Sequence, residues 1–264
     1  MRTSNKKDGN GLKAIHIACS KGHQEIIELL LKHDKSMINV CDNGGKTPLF
    51  TSCESNQQNI ACMLLKNTAN VNKTSVKGIS PLHKACKIGN DNIVALLLDY
   101  SAKINVQSEN GFSPLHIACS NGEVKIVKLL LNKNANIHLM TKQGMTPFFI
   151  SCSKGYLEIC KVLHIKSANI NSCDKSFYTP LHVACREKHE QIVRFLVEHN
   201  ADINALNTKR ETSLYIACVK ESFDIVELLL NYNADVNMCN KEGEFSTSCC
   251  MYKGKQRNST TTTR

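Results

Sequence analysis

Thr179-Pro180-Leu181-His182-Val183-Ala184-Cys185 is the stretch on which the fold turns, because it comes back as Ser113-Pro114-Leu115-His116-Ile117-Ala118-Cys119 and as Ser80-Pro81-Leu82-His83-Lys84-Ala85-Cys86. Looser versions stand at Thr47-Pro48-Leu49-Phe50 and Thr146-Pro147-Phe148-Phe149. The cysteine that ends the stretch repeats every 33 residues, at Cys53, Cys86, Cys119, Cys152, Cys185 and Cys218, with Cys19 one residue out of step. A fixed period of this length marks stacked supersecondary units, each too small to bury its apolar face alone.

Local chemistry makes each unit a pair of helices. The Ser113 hydroxyl can cap a first helix, and Pro114 sits at its first position, where a missing N–H costs nothing. Leu115, Ala118 and Cys119 then share one buried face, and Gly122 can take the left-handed backbone that ends the helix. Ile126, Val127, Leu129, Leu130 and Leu131 form a second helix, running to about Asn132, apolar enough to be buried on both sides. The unit closes with Ala-x-Ile/Val-Asn, as at Ala69 to Asn72, Ala102 to Asn105, Ala168 to Asn171, Ala201 to Asn204 and Ala234 to Asn237. Asn134, Asn200 and Asn233 follow the second helices, and asparagine tolerates left-handed backbone better than most residues. Asn110-Gly111 and Gly44-Gly45 mark hairpin tips.

This pattern resembles the ankyrin repeat over residues 9 to 239, with units at about 9–41, 42–74, 75–107, 108–140, 141–173, 174–206 and 207–239. The resemblance implies an all-α solenoid of stacked helix-turn-helix repeats joined by β-hairpin-like loops. Residues 1–8 read as a polar extension, 240–250 as a degenerate partial repeat and 251–264 as a basic disordered tail. Lys13 replaces the capping threonine of the first repeat, Lys188 and Glu221 replace helix-ending glycines, and Phe177 and Arg210 replace hairpin glycines. The pattern collapses at Phe245, so either the tail packs over Ile225 and Leu228 to Leu230 or the chain is a shortened relative of a longer protein.

Composition narrows the function classes. No apolar run approaches the roughly 20 residues of a membrane span, and residues 1–10 carry no apolar signal core, so a cytoplasmic or nuclear location is expected. The 14 cysteines read as reduced core residues because seven hold the helical slot and Cys41, Cys173 and Cys239 share another. Part of the net charge of +10 sits in Lys253, Lys255, Arg257 and Arg264, which read as a solvated terminus.

Motifs with catalytic overtones dissolve into the repeat. His16/Cys19, His83/Cys86, His116/Cys119 and His182/Cys185 are each half of a zinc site by spacing. Successive pairs lie about one helix spacing, ~10 Å, apart, so no four ligands converge, and the resemblance has these histidines hydrogen-bonding within the turn. Gly44-Gly45-Lys46-Thr47 lacks the first glycine of a phosphate loop, since Val40 stands there. Asn72-Lys73-Thr74 and Asn258-Ser259-Thr260 match a glycosylation sequon that a chain without a secretory signal does not use. No enzyme activity, cofactor, metal or small-molecule substrate is expected.

The resemblance places binding on a concave face of hairpin tips and first helices. The position before the capping residue reads Lys46, Ile79, Phe112, Met145, Tyr178 and Glu211, four of them consecutive large apolar or aromatic side chains. With Lys77, Lys87, Lys142, Lys154, Lys175 and Arg186 around them, they form an expected partner site of aromatic and methionine anchors with a basic rim. The reading is a monomeric protein-protein interaction scaffold for a protein or peptide, acidic in character, with Ile79, Phe112, Met145 and Tyr178 substantially exposed. The alternatives are a targeting segment of a larger enzyme, of ubiquitin ligase or kinase type, and a weak anionic-surface binder acting through the basic tail; nucleic acid is not the expected partner. Leu130 is expected deep in the core, with Leu230 read as its equivalent in the last repeat.

Overall fold

The computed structural model describes residues 13–245, and the chain divides into two compact units after Asn136. The expected extension 1–8, the tail 251–264 and most of 240–250 lie outside the described residues. The first unit holds helix pairs α1 Ala14–Lys21 and α2 Gln24–His33, α3 Pro48–Glu54 and α4 Gln58–Lys66, α5 Pro81–Ile88 and α6 Asp91–Asp99, and α7 Pro114–Asn121 and α8 Val124–Asn132. In the second unit the pairs are α9 Pro147–Lys154 and α10 Leu157–Ile165, α11 Pro180–Arg186 and α12 Glu190–Glu198, and α13 Ser213–Val219 and α14 Phe223–Asn231. Among the described residues there is no strand, only a single antiparallel bridge between Cys239 and Phe245.

Within each unit the helices form two rows. First helices pack on first helices, α1 on α3 on α5 on α7 and α9 on α11 on α13, while second helices do the same, α4 on α6 on α8 and α10 on α12 on α14. Apolar side chains from both rows supply the core: Leu82, Ala85, Cys86, Ile93, Val94 and Leu97 of one pair are all at 0–1 % exposure. Burial is incomplete on the outer row, where Leu129 is only half-buried, contrary to the expectation of an all-round buried helix. Lys125 and Lys128 flank it in solvent, so α8 keeps one wet side.

Helix starts follow the capping chemistry. Thr47, Ser80, Ser113, Thr146, Thr179 and Thr212 each accept the backbone N–H three residues on, satisfying a donor that the helix cannot. Lys13 makes no such bond. Gly22, Gly89, Gly122 and Gly155 end first helices in left-handed geometry, with Lys188 (φ 62°) and Glu221 (φ 55°) in that role later. Second helices end the same way at Asn134, Asn200 and Asn233, and also at Thr68, Ser101 and Ser167. The first repeat departs from this: Asp34 is extended and caps a short 3-10 turn, Lys35–Asn39, which absorbs the extra residue that puts Cys19 out of step.

Asparagine at the close of four repeats ties neighbours together. Asn72 Oδ1 accepts from the Lys103 N–H at 2.7 Å and Asn105 from the Asn136 N–H at 2.8 Å in the first unit, and Asn171 accepts from Asp202 and Asn204 from Asp235, both at 2.9 Å, in the second. Each bond spans 31 residues, which explains why asparagine ends the repeat.

Leu230 is not the counterpart of Leu130. Adding three periods of 33 to Leu130 reaches Leu229, which like Leu130 is fully buried, whereas Leu230 takes the outer slot and is 44 % exposed.

Candidate functional site

Hairpin tips are held by backbone bonds from one repeat to the next. Val76 N–H donates to Gly44 O and Glu109 N–H to Lys77 O, both at 2.9 Å, in the first unit. In the second, Lys175 donates to Gln143 at 2.8 Å, Thr208 to Ser176 at 3.0 Å and Lys241 to Lys209 at 3.0 Å. The residue after each accepting carbonyl must turn left-handed, and a Cβ on Gly45 or Gly144 would come within 3.0 Å of the next hairpin's amide nitrogen. Glycine is therefore the natural occupant.

Phe177 and Arg210 hold that slot without being glycine, at φ 58° and 60°. A bulky residue in this region costs about 1–2 kcal/mol, and such outliers gather where function requires them. Phe177 spends that cost on exposure: its side chain is 58 % open to solvent at the tip. Lys175, Lys209 and Arg210 beside it are exposed, and among the described residues none of them forms an ion pair.

The expected anchors are less open than their sequence reading implies. In the first unit Ile79 and Phe112 are half-buried, and the Phe112 ring meets His116 edge-on with centroids 5.9 Å apart. In the second unit Met145 and Tyr178 are also half-buried. Tyr178 lies edge-on to His182 at 5.8 Å and under the Arg186 guanidinium at 5.4 Å, and its hydroxyl donates to Glu211 at 3.2 Å. Burial first, and then the Glu211 charge, raise the Tyr178 phenol above its ordinary value. All the rim cations, Lys77 and Lys87 in one unit and Lys142, Lys154, Lys175 and Arg186 in the other, are exposed.

One charged cluster escaped sequence reasoning. Glu54 accepts from Lys46 at 2.8 Å and from Lys84 at 2.5 Å, with both ammoniums within 5.6 Å of the Phe50 ring centre. Burial alone would raise the Glu54 carboxyl, but the two lysines hold it below the usual range. The glycine-lysine-threonine run is thereby accounted for: Gly45 turns the tip, Lys46 pairs with Glu54 and Thr47 caps α3. Sequence spacing could hint at the first pair, 8 residues apart, but Lys84 arrives from the next repeat, 30 residues away.

The histidines of the His-x-x-Cys pairs are occupied. His83 Nδ1 accepts the Ser80 N–H at 3.1 Å and its Nε2 donates to Phe112 O at 2.9 Å; His182 does the same with Thr179 at 3.0 Å and Glu211 O at 3.1 Å. His16 repeats the arrangement with Lys13 N–H at 3.3 Å and Lys46 O at 3.1 Å. Because Nδ1 accepts, these rings are neutral with the proton on Nε2. Among the described residues no three of His, Cys, Asp and Glu gather as a metal ion would need, and no helix is long and apolar enough to cross a membrane.

Comparison with known families agrees with this architecture. A pattern for ankyrin repeats in three copies matches residues 2–75, 69–141 and 148–240, and one for ankyrin repeats in many copies matches residues 120–164. No individual curated protein matches the chain significantly. The matches cover most of the sequence and coincide with the helix pairs and hairpins described above: the chain belongs to the ankyrin-repeat family, whose repeats are generally protein-protein interaction modules and typically non-catalytic.

Proposed function

We propose that this chain is a non-catalytic scaffold that binds an acidic protein or peptide partner, in a reducing compartment such as the cytoplasm or nucleus, through its hairpin tips and first helices. The observation that carries the reading is Phe177, an exposed aromatic ring kept in a backbone conformation that glycine would fill at lower cost. Around it, Lys175, Lys209 and Arg210 are cations that pair with no carboxylate among the described residues, and an acidic segment would neutralise them. To the same binding surface we assign Met145, Tyr178, Lys142, Lys154 and Arg186 of the second unit, and to a second one Ile79, Phe112, Lys77 and Lys87 of the first. Half-buried rings can still act as anchors, since an interface needs only their remaining face.

Affinity capture tests the reading, with the intact chain compared with Phe112→Ala and Tyr178→Ala proteins whose melts show them folded. Each variant should bind the captured partner more weakly by about 2 kcal/mol or more, as buried anchors do. Lys175→Glu should mainly slow association and flatten its salt dependence. Unchanged recovery by folded variants would mean these rings only pack against their own helices.

A further inference from the structure

Every repeat carries the first-helix cysteine, and in one of them a second thiol is set against it. Cys152 of α9 and Cys160 of α10 have their sulfurs 3.5 Å apart, and both residues are at 0 % exposure. At the Cys160 position five of the other repeats carry Ala61, Val94, Val127, Val193 and Val226, so an aliphatic side chain satisfies the packing there. Ser151 adds a polar neighbour: its hydroxyl donates to Phe148 O at 2.8 Å and lies 3.2 Å from the Cys160 sulfur. The same position is alanine at Ala85, Ala118, Ala184 and Ala217 and serine at Ser52, whose hydroxyl donates in the same way to Leu49 O at 2.8 Å, so the second thiol rather than the serine sets this repeat apart. A hydrogen bond from Cys152 pulls the Cys160 thiol below its ordinary value against burial, while burial pushes the Cys53 thiol, beside Ser52, up to about 12.

We infer that Cys152 and Cys160 are a built-in site of reversible disulfide formation, oxidised by hydrogen peroxide or a related hydroperoxide. In the reaction one thiolate attacks the peroxide oxygen, breaking the O–O bond and leaving a sulfenic acid and one water. The second sulfur then displaces the hydroxyl, which departs as water with the remaining thiol proton. Two thiols and one peroxide thus give one disulfide and two waters. Closing the bond requires the sulfurs to approach by about 1.5 Å, since a disulfide is about 2.05 Å long. Both lie within one helix pair joined by a tight turn at Gly155, so the motion is local. The pair is buried, so peroxide enters when this repeat opens, an event that repeat stacks permit without global unfolding. A disulfide across it would staple α9 to α10. In a reducing compartment such bonds are transient and redox-sensing.

The test uses the full chain treated with hydrogen peroxide, its remaining thiols then alkylated under denaturing conditions and the unreduced protein digested with trypsin. Because Lys154 and Lys161 follow the two cysteines, Cys152 and Cys160 fall on separate peptides, 143–154 and 155–161. The expected result is a cross-linked pair of these peptides, lighter by two hydrogens than their sum and released by dithiothreitol. Cys160→Val, the residue of the flanking repeats, should fold and give no such species. Recovery of Cys152 and Cys160 as alkylated thiols while the half-exposed Cys41, Cys62, Cys173 and Cys239 are oxidised would overturn the proposal. So would a bond from either cysteine to one of those four.

Discussion

Leu130→Ala should lower the unfolding free energy by about 2–5 kcal/mol, because it empties a fully buried slot between the rows of the first unit. Leu229→Ala should cost a similar amount, since Leu229 holds the same slot in the last repeat and is equally buried. Leu230→Ala should cost less than about 1 kcal/mol, because much of that side chain already faces water and its removal leaves little cavity. Urea melts of the three variants rank them. An equal loss at Leu230 would mean that its outer surface is covered in the intact protein.

Acidification should destabilise the protein well before its carboxylates titrate. Burial lowers the pKa of His16, His83 and His182 from the ordinary 6.5, so at pH values below 6.5 the unfolded chain binds more protons than the folded one. Stability is therefore fully present above 6.5 and is lost as pH falls from there through the folded-state values. Each such histidine removes up to about 1.4 kcal/mol per pH unit in that window. Protonation at Nδ1 also sets two donors against each other where Ser80 or Thr179 now gives its N–H, which adds a structural reason for the loss. Denaturation midpoints at about pH 7.5 and about pH 5.5 check this. A flat profile would contradict the neutral, Nε2-protonated rings. The Glu54 carboxyl acts in a lower window: its depressed pKa gives stability that is lost only as pH falls below its ordinary 4.5.

How much was legible in the sequence depends on the reach of each interaction. Caps, left-handed turns and the helix faces depend on residues three or four apart, so Ser80, Pro81, Leu82 and Gly122 announced their roles. Interactions between repeats were hidden, because the period says that repeats stack but not which atoms meet. His83 bonding to Phe112 O, 29 residues away, and Lys84 reaching back to Glu54 are of that kind. Cys160 was a readable departure from the Val94 and Val127 position, but only the 3.5 Å distance to Cys152 gives it a meaning. Leu230 was misread by one residue within a run of three leucines, where composition alone does not distinguish an inner slot from an outer one. At the candidate site, the replacement of glycine by Phe177 was visible, whereas its exposure was not. Phe112 and Tyr178 were readable as large side chains, but their packing against His116 and His182 was not.

Phe177→Gly, measured for stability and for partner binding on the same protein, tests the central claim most directly. Glycine removes a left-handed strain of about 1–2 kcal/mol while adding chain entropy to the unfolded state of about 0.5–1 kcal/mol, so the melting midpoint should hold or rise slightly. If Phe177 is an anchor, partner affinity should nevertheless fall by about 2 kcal/mol, roughly thirtyfold, against the direction of stability. Lower stability with affinity per folded molecule unchanged would contradict the account, placing the ring in the fold rather than in an interface.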